Sequence, residues 1–216
     1  NELTDQLNAL SDSLDRDSDG LADMGKDLQD RARAAMFSLG TTYPELSGYY
    51  PQPKGLLFPA FLSVQNLSGI YSPFTIEANY NSAMVSYNLP FTICHELSHL
   101  RGFMQEEEAN FIGFLACVNA DDTAFNYSGY LLGWIYATNE LYEVDYDTFK
   151  EIYNRLSDNV KADLSANSSF WKRYDSKVAE VSGQINDHYL KANGQSDGIK
   201  SYDRMVDLMI TWFRSK

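Results

Sequence analysis

Two of the three histidines of the chain, His95 and His99, lie four residues apart in the sequence FTICHELSHLRGF at residues 91–103. Residues four apart lie on the same face of a helix, so both imidazoles can reach one point in space. Neutral imidazole is a good Zn²⁺ ligand, and Glu96 stands where a carboxylate can take a proton from a metal-bound water. The spacing therefore predicts a metal-dependent hydrolase site.

Apolar residues surround this motif and predict that its helix is buried. Leu89 and Pro90 precede it, and Leu97, Leu100 and Phe103 lie within it. Unpaired imidazoles in such surroundings are costly. Burial with a metal ion explains the two histidines better than a chance match of a short motif.

Two histidines need a third protein ligand, and the next segment, QEEEANFIGFLA at residues 105–116, offers one. Its acidic start suits a helix N-terminus, and Gly102 can turn the chain between the two helices. The consecutive glutamates at residues 106–108 are all candidates. Glu106 and Asn110 are spaced to share a helix face, where the amide could orient a ligand imidazole.

The combined pattern resembles that of the gluzincin metallopeptidases, in which the third ligand opens an E-x-x-A-[D/N] segment on the following helix. The resemblance implies that His95, His99 and Glu106 bind one catalytic zinc ion. It also implies that Glu96 is the general base and that Asn110 supports a ligand from the second shell.

The chain departs from the known zincin patterns in two respects. The gap between the histidine motif and Glu106 is shorter than in thermolysin-like enzymes. Gly102 falls where metzincins place a glycine, but their third-ligand position is here Gln105, a poor zinc ligand. A differently wound turn would let Glu107 or Glu108 replace Glu106.

Several short segments extend the resemblance over most of the chain, to an uncharacterised bacterial family of membrane-anchored proteins regarded as zinc-dependent peptidases. These segments are YPEL at 43–46, PKG at 53–55, PFTIEAN at 73–79, EEEANF at 106–111 and YLKANG at 189–194. The resemblance implies a catalytic domain on the extracytoplasmic face of the cell membrane. We therefore expect residues 1–40 to be a helical segment that follows a membrane anchor absent from this chain. Residues 41–216 are expected to form a zincin-like domain.

Composition limits the classes of partner. The 216 residues suffice for one domain with a sizeable core, and 44% are apolar. A net charge of −13 argues against nucleic acid and anionic lipid as partners. No apolar run reaches the ~20 residues that span a bilayer, so membrane attachment is expected only through a segment outside this chain.

Two further features of the sequence have simple structural interpretations. Cys94 and Cys117 are expected to be buried free thiols rather than a disulfide. Residues 15–23 place acidic residues and a glycine as a calcium loop does, but Lys26 occupies the position of the bidentate glutamate. An acidic linker that caps the next helix is therefore expected there, not a Ca²⁺ site.

Strands are expected immediately before the histidine motif, at residues 56–67 and 69–81. In zincins an edge strand at this place holds the substrate through backbone hydrogen bonds. Residues 71–81 are the candidate for that strand, with Asn79 and Asn81 lining the cleft. A purely structural strand is the alternative.

Most of the remaining chain shows helical periodicity. The predicted helices cover residues 2–14, 21–39, 105–121, 127–142, 145–164, 168–191 and 199–214, and residues 41–56 are expected to be irregular. The predicted fold class is therefore α+β, predominantly α-helical, with a small sheet beside the helix that carries the motif.

These features lead to the prediction of a zinc metallopeptidase in which Glu96 assists the attack of a zinc-bound water on a peptide or protein substrate. The oxyanion donor stays open, with candidates Tyr127, Tyr130, His188, Tyr189 and Tyr202. Two alternative functions remain: a zinc-dependent hydrolase of another amide bond, and an inactive metal-binding sensor or scaffold. The intact Glu96 argues against the inactive alternative.

Overall fold

The computed structural model describes residues 2–192 and 204–215, which form a helical body with a small sheet on one side. The helices are α1 (Glu2–Ser13), α2 (Leu28–Thr42), α3 (Pro59–Val64), α4 (Asn88–His99), α5 (Glu106–Val118), α6 (Thr123–Val144), α7 (Tyr146–Asn154), α8 (Asp158–Lys172), α9 (Lys177–Ala192) and α10 (Met205–Ser215). The strands are β1 (Lys54–Gly55), β2 (Gly69–Ser72) and β3 (Glu77–Tyr80), and a single 3₁₀ turn covers Pro44–Leu46. The predicted α+β class with a predominance of helix is confirmed.

The central helices are α4 and α5, which pack against each other and against α6 and α2. Almost every residue of α4 is buried, including Phe91, Ile93 and Leu97. This all-round burial follows from a sequence that is apolar on most of its surface. The sheet closes one side of α4, with Ala78 and Tyr80 of β3 in the same apolar core.

The sheet has the order β1–β3–β2, with β1 parallel and β2 antiparallel to the central strand β3. The predicted strand over residues 69–81 is therefore a hairpin of two strands. Its edge strand is β2, at the N-terminal end of the predicted segment, whereas β3 lies in the interior of the sheet.

A second apolar cluster lies between α1, α6 and α8, around Leu7, Trp134 and Val160. Helix α1 packs on α6, where the Trp134 indole donates a hydrogen bond to Thr4, and α2 packs on α4 and α5. The boundary expected near residue 40 stays a prediction.

Two predicted elements differ from the structure because of local turn chemistry. The helix predicted for residues 21–39 begins only at Leu28, since Asp17 Oδ1 accepts hydrogen bonds from the backbone N–H groups of Asp19 and Leu21 and holds the preceding segment in a turn. The strand predicted for residues 56–67 is wrong: the segment contains α3. Pro59 stands at the start of that helix, where its fixed φ favours the helical conformation.

The helices after the histidine motif differ mainly in their boundaries. The one predicted for residues 145–164 is interrupted before Ser157, whose side chain caps α8 by accepting a hydrogen bond from the Val160 N–H. The one predicted for 168–191 is divided between α8 and α9. Part of the one predicted for 199–214 lies outside the described residues. Over the described ranges, no helix combines the length and the apolar character needed to cross a membrane.

A fully buried carboxylate ties the loop between α1 and α2 to α6 and α8. Asp163, 0% exposed, accepts hydrogen bonds from Arg16 at 2.8 Å, from the Tyr127 hydroxyl at 2.5 Å and from the Ala22 N–H at 2.9 Å. These three partners satisfy a charge that could not otherwise be buried. The network fixes the loop to the helical body.

We predict that Asp163→Ala lowers the free energy of unfolding by about 3–5 kcal/mol, because it leaves Arg16 without its buried partner. Urea denaturation of the variant measures this loss. Asp12→Ala, at an exposed position of α1, is the matched control and should change stability by less than about 0.5 kcal/mol. Equal losses in the two variants would show that the Asp163 network does not stabilise the fold.

Candidate metal centre

Helix α4 presents His95 and His99 on one face, and their rings lie 4.8 Å apart at an interplanar angle of 87°. The helix ends at His99, and Gly102 then turns the chain with a φ of +90°, a conformation that favours glycine. The Gly102 N–H bonds to the His99 carbonyl at 3.0 Å. Helix α5 begins four residues later, at Glu106. The turn predicted at Gly102 is confirmed.

Glu106 faces the two histidines. Its Oε2 lies 3.3 Å from His95 Nε2, and its Oε1 lies 4.0 Å from His99 Nε2. One ligand atom from each of the three residues can be chosen so that all lie within 4.8 Å of one another, so this group could hold a metal ion. Ligand atoms around a tetrahedral Zn²⁺ are about 3.4 Å apart; the His95–Glu106 distance of 3.3 Å matches this value, and the His99–Glu106 distance of 4.0 Å would have to shorten.

The other two glutamates of the acidic run point elsewhere. Glu107 Oε1 lies 3.6 Å from Arg204 Nη1, just before α10, and Glu108 is exposed. Of the three candidates, only Glu106 is brought to the histidines in the described part of the chain.

The hydrogen bond of His99 fixes the tautomer that a metal ligand requires. Its Nδ1 lies 2.7 Å from the Phe103 carbonyl oxygen, which can only accept, so Nδ1 carries the proton. Nε2 is then a bare lone pair directed toward Glu106. Burial and the neighbouring His95 lower the pKa of His99 to about 4, which keeps this ring neutral.

His95 has its corresponding partner in Asn110, one turn along α5 from Glu106. The Asn110 side chain interacts with the imidazole and is buried, and neither His95 Nδ1 nor Asn110 Nδ2 has a full hydrogen bond. A hydrogen bond from His95 Nδ1–H to the amide oxygen would leave Nε2 free as a ligand. Burial lowers the pKa of His95, but the hydrogen bond and charge of Glu106, with the charge of Glu96, outweigh it, so the net shift is upward.

Glu96 lies next to this group and is almost completely buried. Its Oε1 is 4.0 Å from His95 Nε2, and its Oε2 has no hydrogen-bond partner among the described residues. Burial, opposed by His95 and reinforced by Glu106, raises the pKa of Glu96 to about 8. A buried carboxylate with an unsatisfied oxygen is costly for the fold, which is typical of a functional group.

A glycine allows α5 to approach α4 at the level of His95. A Cβ on Gly113 would lie 3.3 Å from the backbone nitrogen of His95 and 3.3 Å from the carbonyl oxygen of Phe91. Gly113 follows Glu106 by seven residues, or two helical turns, so both lie on the face toward α4. Sequence reasoning missed this residue, although its helical spacing from Glu106 was a usable signal.

Edge strand β2 supplies two further residues that the sequence did not reveal. A Cβ on Gly69 would overlap Glu96 Oε1 and lie 2.8 Å from its Cγ and Cδ, so the strand backbone passes directly against Glu96. The Tyr71 ring lies 5.9 Å from the His99 ring. These contacts join positions more than 25 residues apart, so local residue spacing cannot predict them.

The register of the hairpin leaves backbone groups of β2 directed outward. The Asn81 N–H bonds to the Ser68 carbonyl at 2.8 Å, and hydrogen-bonded pairs alternate along an antiparallel ladder. The backbones of Ile70 and Asn79 are therefore a hydrogen-bonded pair. The N–H and C=O groups of Gly69 and Tyr71 point away from β3, to the free edge of the sheet, where no further strand pairs with β2 among the described residues. An extended chain could pair with this edge beside Glu96.

The structure places Asn79 and Asn81 in buried positions of the hairpin rather than along its free edge. The Asn79 amide faces the carbonyl oxygens of Ile70 and Glu77 at 3.4 Å, and the Asn81 amide donates to Ser63 Oγ at 2.9 Å. A substrate-binding role for Asn79 stays a prediction that these contacts do not support.

The oxyanion candidates are not resolved by the geometry. The Tyr127 hydroxyl donates a hydrogen bond to Asp163, and the Tyr130 ring packs against Phe114. The side chains of His188 and Tyr189 and all of Tyr202 lie outside the described residues. Separately, Cys94 and Cys117 are buried free thiols, as predicted.

We predict that Gly69→Ala destabilises the protein by about 1–3 kcal/mol, because the added methyl group overlaps Glu96. Gly183→Ala in α9, where an added Cβ meets nothing within 4 Å, should instead stabilise by up to about 1 kcal/mol. Chemical denaturation measures both changes. The cost of Gly69→Ala should also shrink in a Glu96→Ala background; an unchanged cost there would contradict the proposed overlap.

Comparison with known proteins identifies a family. The profile of the family described as "Protein of unknown function (DUF3810)" matches residues 1–210, so the chain belongs to that family. No curated protein and no solved structure matches the chain.

Proposed function

We propose that this member of a family of unknown function is a zinc-dependent metallopeptidase of the gluzincin type. The observation that carries the proposal is the meeting of His95, His99 and Glu106 at one point, with the buried carboxylate of Glu96 beside it. Two imidazoles and one carboxylate form a common donor set of catalytic zinc sites.

Unsatisfied polar groups also favour a metal ion at this point. Glu96 Oε2 is buried without a hydrogen-bond partner among the described residues, and His95 Nε2 and His99 Nε2 both face the Glu106 carboxylate. A divalent cation could accept the lone pairs of the two imidazoles and of the carboxylate as ligands, which would remove the repulsion between them. When bound, Zn²⁺ would supply Lewis acidity, which polarises a carbonyl group and makes water a better nucleophile near neutral pH.

Glu96 is the general base in this proposal. Its carboxylate takes the proton from the attacking water and returns it to the leaving amine. Burial raises the pKa of Glu96 to about 8, and the charge of a bound cation would lower it again, so that the carboxylate could accept a proton near neutral pH and return it. The Phe103 carbonyl holds the His99 imidazole, and the Asn110 side chain lies close enough to His95 to orient the other ring.

The free edge of β2 favours a polypeptide substrate over a small amide. Outward-facing N–H and C=O groups of Gly69 and Tyr71 can pair with an extended peptide, and Gly69 lies against Glu96. Tyr71, next to His99, is the tyrosine that we assign to the substrate side. Peptides or cell-envelope proteins at the extracytoplasmic face of the membrane are the expected substrates, on the basis of the family resemblance.

We predict that the purified chain binds about one zinc ion and that Glu106→Gln loses it, because an uncharged amide is a poor replacement for a carboxylate ligand. Elemental analysis after dialysis measures the metal content. Glu108→Gln, two residues along the same helix and exposed, is the matched control and should retain the ion. Retention by Glu106→Gln, or loss by both variants, would remove Glu106 from the site.

We further predict that Glu96→Gln keeps its zinc but loses about 10²–10⁴-fold in the rate of peptide cleavage, because the amide cannot accept the proton. Mass spectrometry of a digested peptide library measures cleavage, with Glu108→Gln again as the control. A zinc-loaded wild-type chain that cuts no peptide bond would overturn the peptidase assignment. Cleavage restricted to non-peptide amides would identify another kind of hydrolase.

A further inference from the structure

Residues 55–76 contain no Asp, Glu, Lys, Arg or His, although 22% of the chain is charged and its net charge is −13. Large exposed apolar side chains are concentrated in this stretch. They are Leu57, Phe58, Phe61, Val64, Ile70, Phe74 and Ile76, which we call the apolar patch. Exposed apolar side chains concentrated in one uncharged stretch of chain indicate an interaction site.

The side chains of the patch protrude instead of lining a groove. Leu57 is 91% exposed at the entrance to α3, and Phe74 is 97% exposed in the turn between β2 and β3. Protein partners bind such side chains through matching pockets, whereas a fluid phase adapts to them without any complementary shape. Leu57 and Phe74 lie at opposite ends of the small sheet, and side chains that protrude in this way are suited to a fluid apolar medium.

The backbone of the turn holds Ile76 outward in an unfavourable conformation. Its φ is +55°, in the left-handed region that β-branched residues rarely occupy. The side chain is 59% exposed, so contacts within the described fold do little to offset this strain. Backbone strain of this kind is found at functional positions.

Charge distinguishes among the surfaces that this patch could meet. On the sheet beside the patch, Lys54 of β1 and Glu77 of β3 form an ion pair, so their charges neutralise each other. The remainder of the acidic chain is repelled by anionic surfaces. A matching partner has an apolar interior and a surface without net charge.

We propose that the apolar patch inserts into the interface of a bilayer of zwitterionic lipid and orients the domain on the membrane. Strand β2 links the patch to the metal centre: Ile70 belongs to the patch, and its neighbours Gly69 and Tyr71 contact Glu96 and His99. The inference rests on exposure, charge and backbone conformation, and it stands independently of the proposed peptidase activity.

Co-sedimentation of the 216-residue chain with phosphatidylcholine vesicles tests the proposal. We expect Phe74→Ser/Ile76→Ser and Leu57→Ser/Phe58→Ser each to weaken vesicle binding by at least about ten-fold, since each removes two side chains from the lipid. Mixing phosphatidylglycerol into the vesicles should weaken binding of the wild type at low salt, and added salt should restore it.

The double variant Val178→Ser/Val181→Ser is the control, because it removes two exposed apolar side chains from α9, outside the patch. It should bind vesicles as the wild type does, and all variants should keep their far-UV circular dichroism. Absence of vesicle binding by the folded wild type would overturn the proposal. So would binding that the patch variants retain, or a concentration-dependent dimer that the patch variants abolish without any vesicle binding.

Discussion

The close approach of α5 to α4 at Gly113 is the contact on which the metal centre depends. A Cβ at this position would lie 3.3 Å from the His95 backbone nitrogen and from the Phe91 carbonyl oxygen, so even an alanine would require the helices to separate slightly. Glu106 lies two turns before Gly113, so a wider separation would carry its carboxylate away from both imidazoles. Because the two helices are buried in one core with α2 and α6, this separation is fixed by packing and not by the polar groups of the site.

The polar groups are, in contrast, poorly matched to each other in their buried surroundings. Burial raises the pKa of Glu96 and lowers that of His99, while Glu106 raises that of His95. Apolar packing therefore holds these ionisable groups in buried positions, where His95 Nδ1 and Glu96 Oε2 have no hydrogen-bond partner among the described residues. His95, His99 and Glu106 could hold a metal ion, and coordination would compensate the cost of burying their polar atoms.

Local spacing predicted the parts of the site that lie on single helices or on one turn. The positions of His95 and His99, the shared face of Glu106 and Asn110, and the turn at Gly102 all follow from helical geometry and glycine conformation. The spacing from Asn110 and the family resemblance favoured Glu106 but left Glu107 and Glu108 open, because the contact of Glu107 with Arg204 joins positions almost one hundred residues apart. The strand predicted across Pro59 failed because a short apolar run has no clear period, and the proline favours a helix start.

The contacts that stabilise the helical body do not include the edge of strand β2. The helical body obtains its cohesion from apolar clusters and from the buried Asp163, none of which reaches the free edge of β2. The sheet meets α4 through a glycine, and this absence of a side chain brings a strand backbone against Glu96. The hairpin ladder itself does not require a glycine at position 69, but a Cβ there would overlap Glu96, so the close contact between β2 and Glu96 depends on this glycine.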